Sequence, residues 1–224
     1  MTRYLAAVTL ALACPVSAGA QSPPETIKAS GMQPSATSDR LPPIPPSQMT
    51  EAQRKAAEEF KVIRNGAEVS GPFFPLLRSP DLMVRTSALG EYLRYRSALP
   101  PRLSEFVILL TAREWSQQYE WNAHYPLAIK AGVSEAIANA IAEGRRPDAM
   151  APDHHALYEF VQELLRTRTV SDATYQPALS LFGERGVVDT VGIVGYYSMI
   201  AMVLNTARTP VAASTAPVLQ PLPK

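Results

Sequence analysis

The 224 residues carry 21 basic and 20 acidic side chains, 21 prolines and one cysteine. This length suits one domain with a sizeable core and is too short for two large ones. The near-neutral charge, with no basic stripe or charge block, argues against nucleic acid or an anionic membrane surface as a partner.

Arg3 precedes an apolar run from Tyr4 to Val16, and Ala18-Gly19-Ala20 supplies an A-x-A cleavage site. The pattern predicts a secretory signal peptide over residues 1–20, with Gln21 as the first mature residue of a periplasmic or secreted protein. Cys14 falls inside that segment. A lipoprotein alternative would make Cys14 the lipidated residue, but Ala11-Leu12-Ala13 is a poor lipobox and Pro15 follows it. Ordinary cleavage leaves a mature chain with no cysteine, which excludes disulfides, redox thiols and thiol nucleophiles.

Residues 21–48 are rich in Pro, Ser and Thr without apolar periodicity, and read as a disordered, partly polyproline linker. Thr50 is a fair N-cap for a helix that ends at Gly66. After the loop VSGPFFPLLRSP, Ser79 or Asp81 starts a helix with apolar residues at helical spacing from Leu82 to Leu99. Pro100 and Pro101 stop it and open the next. The segment from Leu103 to Ala112 is nearly all apolar and suggests a buried helix, although periodicity alone leaves a strand open. A helix over Trp115 to Ala131 ends at Gly132, and a short one runs from Ser134 to Gly144. Asp153 caps a further helix, and Ser171 or Asp172 caps another that contains Pro177.

The last element, VVDTVGIVGYYSMIAMVLN, approaches the lower length limit of about 17 residues for a membrane span, but Asp189 interrupts it. Its small residues Gly192, Gly195, Ser198 and Ala201 suggest a core helix, or one packed closely at a subunit contact, without stable membrane insertion. Residues 209–224 read as a flexible tail. Helix following helix, with no hairpin or βαβ signal, predicts a single compact all-α domain over residues 49–208.

The chemistry-bearing residues lie in LSEFVILLTAREWSQQYEWNAHYPLAIKAGV. In a helix over 115–131, positions 117, 120 or 121, and 124 share a face. His124, with an ordinary pKa of about 6.5, can accept and donate a proton near neutrality. Glu120 one turn earlier and Glu105 on the preceding helix are candidates to orient it or to serve as a second base. Gln117, Arg113 and Trp121 are candidate substrate-binding residues. Gln117 would orient a carbonyl or water, Arg113 would hold a carboxylate bidentately, and Trp121 would wall an aromatic pocket with Trp115, Tyr119 and Tyr125. Each also has a plain structural reading as helix surface, solvated charge or core packing. His154 is too remote from Glu120 and His124 to suggest zinc, so no metal is expected. Acid–base chemistry of this kind demands no organic cofactor, and none is expected.

The run EFVILLTAREWSQQYEWNAHYPLAIKAGVSEAIANAIAEGRRP, with FFPLLRSPDLM before it and GIVGYYSMIAMVLN after it, resembles the carboxymuconolactone decarboxylase superfamily, which includes the alkyl hydroperoxidase D proteins. The resemblance covers residues 70–206. It implies an all-helical fold that assembles as homotrimers or hexamers, with sites near subunit contacts. The peroxidase branch carries a glutamate, then C-x-x-C, then a histidine four residues beyond the second cysteine. Glu105 and His124 match its glutamate and histidine, but Gln117 and Glu120 occupy the two cysteine positions. Glutamate at the second position resembles the decarboxylase branch. The implied function is an exported lyase or isomerase acting on a small carboxylated or lactone substrate. A non-catalytic ligand-binding or scaffold homologue is the alternative, and peroxidase activity is disfavoured for want of a thiolate.

Overall fold

The computed structural model describes residues 39–220 and 222; the expected signal peptide, Cys14 and the linker up to residue 38 lie outside the described residues. The described residues form eight α-helices and one short 3-10 turn, with no strand among them. The all-α expectation therefore holds.

The helices are α1 (Glu51–Ile63), α2 (Phe73–Leu76), α3 (Pro80–Tyr95), α4 (Pro101–Glu114), α5 (Gln118–Ala131), α6 (Glu135–Ala142), α7 (Pro152–Thr167) and α8 (Asp172–Ala207). The strand left open for the apolar segment is excluded, because that segment is the central helix α4. Pro101 supplies its fixed φ and loses no hydrogen bond in the first turn. Every residue from Leu103 to Arg113 is buried, because α5, α6, α7 and α8 surround the helix. A helix covered on all sides has no polar face, which is why periodicity could not identify it.

Around this axis, α1 lies on α3, and α3 and α7 lie on α8. A capping box opens α1. Gln53 N–H donates to Thr50 Oγ1 at 3.2 Å, and Thr50 N–H donates to Gln53 Oε1 at 3.0 Å. The inner face of α1 is Ala56 and Phe60, and Phe60 meets Phe73 of α2 with ring centroids 4.7 Å apart.

Two helix starts differ from expectation. Trp115, Ser116 and Gln117 are not helical. Trp115 ends α4, Ser116 turns at φ 46°, and Gln117 is the N-cap of α5. The helix holding the histidines starts at Pro152, one residue before Asp153.

In α8 the helical course breaks at Gly183 (φ 66°, ψ 175°), a backbone state open essentially to glycine alone. Beyond the break the helix is apolar and long enough to cross a membrane, and its inner face is buried in the body. Asp189 is satisfied there. Its carboxylate accepts from Ala98 N–H at 2.7 Å and from Tyr92 O–H at 3.0 Å, which ties α8 to the α3–α4 turn. The small-residue stripe divides. Gly192 admits Leu93 and Ala201 is fully buried, whereas Gly195 faces open space.

The flanking segments also correct an expectation. Residues 39–48, the described end of the expected disordered linker, lie on the body: Arg40 N–H donates to Ala207 O at 2.7 Å, and Ile44 packs on the core. The segment expected to be a flexible tail is strapped along α5. Leu219 N–H donates to Gln118 Oε1 at 2.7 Å, Gln118 Nε2 donates to Pro217 O at 3.1 Å, and Asn122 Nδ2 donates to Ala212 O at 3.1 Å. Ala216 and Leu219 are buried. Proline-rich composition removed the helix signal but not these backbone donors and acceptors.

Candidate active site

Glu105 leaves α4 toward α5, where His124 stands one turn after Glu120. All three side chains are buried. His124 Nδ1 and Glu105 Oε2 are 2.6 Å apart, and His124 Nε2 lies 3.7 Å from Glu120 Oε2. An ionised carboxylate accepts only, so Glu105 fixes hydrogen on Nδ1 and leaves Nε2 to face Glu120. Tyr197 of α8 packs edge-on to the imidazole, with ring centroids 5.0 Å apart. Burial holds the Glu120 carboxyl above the ordinary carboxylate range, partly opposed by the charges of His124 and Arg94.

His124 and Glu120 open on a cavity of about 360 Å³, within the size range of small-molecule sites. Phe60, Phe73, Tyr95 and Tyr119 give it apolar walls, and Arg64, Arg94, Tyr196 and Tyr197 add polar groups. Glu105 does not line the cavity. It stands behind the imidazole and is a positioning residue rather than a second base in contact with substrate.

The three candidate binding residues lie elsewhere. Gln117 accepts from Tyr119 N–H at 2.7 Å and donates to Asn205 Oδ1 at 2.7 Å, so it caps α5 and joins it to α8. Arg113 donates to Gln220 O at 2.7 Å and anchors the tail. Trp121 is wholly enclosed in the core. The face expected to join Gln117 and Trp121 to His124 assumes an unbroken helix from 115, and the turn at Ser116 removes that assumption for Gln117. Among the other aromatics, Tyr119 lines the cavity, while Tyr125 donates to Asn139 Oδ1 at 3.3 Å away from it. His154 is buried against Phe106, with Arg102 Nη1 3.0–3.1 Å from its two ring nitrogens. Burial and that cation hold its pKa down.

Sequence reasoning missed Arg64, Arg94, Tyr196 and Tyr197. The available signal was glycine. A Cβ at Gly90 would stand 2.8 Å from Arg64 Nη2 and collide with the Tyr196 ring, and one at Gly71 would stand 2.5 Å from the Tyr119 hydroxyl. Both glycines therefore make room for cavity side chains.

Residues 80–163 match the model of the carboxymuconolactone decarboxylase family. The match includes Arg94, Glu105, Glu120 and His124, while Arg64, Tyr196 and Tyr197 lie outside it. Comparison with curated proteins finds no match. Over the matched segment the chain is similar to the carboxymuconolactone decarboxylase family, and the all-helical fold agrees with that likeness.

Proposed function

We propose that the protein is an exported, cofactor-free lyase or isomerase that uses His124 as general acid–base on a small carboxylated or lactone substrate. The observation that carries this reading is the division of the imidazole. Nδ1 is held by buried Glu105 at 2.6 Å, while Nε2 faces Glu120 in a cavity of about 360 Å³.

In a decarboxylation the bond to the departing CO₂ breaks and its electron pair passes into the neighbouring carbonyl as an enolate. A proton delivered to the enolate carbon then completes the reaction. His124 as the imidazolium, through its Nε2–H, or Glu120 in its protonated form, would deliver it. Isomerisation beside a carbonyl uses the same two groups as base and acid. The sulfur positions of the peroxidase branch hold Gln117 and Glu120, and Gln117 is turned into the α5 cap, which disfavours peroxide reduction. Export and assembly into homotrimers or hexamers belong to this proposal on the strength of the N-terminal sequence and the family.

A turnover assay over a panel of lactones and β-keto acids, with products identified by mass spectrometry, tests the reading. His124→Ala should lower turnover by about 10²–10⁴, the usual worth of a positioned acid–base group; an unchanged rate would sink the mechanism. Ligand binding without any product would favour the non-catalytic homologue.

A further inference from the structure

The cavity contains more cationic donors than the protein uses. Arg64 stacks its guanidinium on Phe73 at 4.9 Å and on Phe60 at 5.8 Å, and Arg94 lies 5.2 Å from the Tyr95 ring centroid. Stacking occupies the faces of a guanidinium and leaves the N–H edges free to point in the plane. Arg64 Nη2 donates to the Tyr196 hydroxyl at 3.4 Å, but the buried Nε atoms of both Arg64 and Arg94 have no hydrogen-bond partner among the described residues.

Among the described residues no carboxylate hydrogen-bonds either guanidinium. Glu91, the cavity's other acid, is engaged by Arg96. Glu105 is held by His124 behind the cavity, and burial favours the neutral form of Glu120. Unsatisfied, partly desolvated guanidinium donors are costly. A bidentate carboxylate supplies the planar pair of acceptors that a guanidinium edge fits.

We propose that Arg64 and Arg94 form an anion-recognition subsite, so that the cavity takes a small organic acid whose carboxylate accepts from their free donors and whose apolar body lies among Phe60, Phe73 and Tyr119. This inference deepens the proposed function and rests on reading the cavity as a substrate site. Gly90 belongs to the subsite, because any side chain there would displace Arg64 and Tyr196 from the wall. Arg64 lies on the segment after α1, outside the matched residues, and Arg94 lies within them.

Calorimetric titration of the full-length protein with benzoate and with benzamide, a neutral analogue of similar shape, tests the subsite. Benzoate should bind more tightly than benzamide by about tenfold or more, the worth of one charge-assisted hydrogen bond. Arg64→Gln and Arg94→Gln should each weaken benzoate by about tenfold and leave benzamide unchanged. Arg94→Lys should recover only part of the loss, because an ammonium lacks the planar fork. Should a variant fail to fold, added salt must weaken benzoate but not benzamide in the parent protein. Equal affinities, a benzoate preference that survives in both folded glutamine variants, or no benzoate binding in the millimolar range would each overturn the subsite. His124→Gln separates the two proposals: benzoate preference retained with turnover unchanged supports the subsite and removes the proton-transfer mechanism.

Discussion

Glu120 loses its water in the folded chain and has for company the imidazole of His124 at 3.7 Å and the more distant charge of Arg94, so burial dominates and its pKa rises. An ordinary glutamate titrates near about pH 4.3 in the unfolded chain. Below that value Glu120 is protonated in both states, and its neutral form burdens neither. As pH rises toward the folded value the unfolded chain ionises first, and stability falls. Glu120→Gln cannot ionise and should therefore melt at a higher temperature than the parent at about pH 8, with the gap closing near about pH 4. Thermal melts across that range check the sign; a gap that does not change with pH contradicts it. The Glu105/Glu120/His124 set was legible in the sequence as a set. Its division of labour was not, because the approach of Glu105 to Nδ1 depends on the packing of α4 against α5. Arg64, Arg94 and Tyr197 come from three separate elements, and no spacing rule joins them.

At the level of elements, most helices were legible from caps and prolines, and the errors arose where a short turn hid inside a helical pattern. Ser116 at φ 46° is one such turn, and the break at Gly183 is another. FGERG carries two glycines, and only the first adopts a conformation closed to other residues; Gly186 is buried in ordinary helix against Phe182. Gly183→Ala has no steric neighbour within 4 Å, so its cost is purely one of backbone conformation, about 1–3 kcal/mol. Urea denaturation should show that loss with an unchanged m-value. Gly186→Ala would meet Phe182 instead and act through packing.

Across the whole molecule, the chain ends were the least legible part. Composition assigned residues 209–224 to a flexible tail, yet Gln118, Asn122 and Arg113 hold its backbone through side-chain hydrogen bonds that no local pattern announces. Gln118→Ala removes the two bonds to Pro217 and Leu219 and should make the tail a preferred site of limited proteolysis, while the helical body stays resistant. Equal cleavage rates in parent and variant would show that Arg113, Asn122 and the buried Leu219 suffice. Asp189 sets a different kind of dependence. By accepting from both Tyr92 and Ala98 it fixes α3, which carries Arg94, against α8, which carries Tyr196 and Tyr197. A selection for altered substrate preference would thus return substitutions at Asp189 and Tyr92, two positions that do not line the cavity, because they set the distance between its walls.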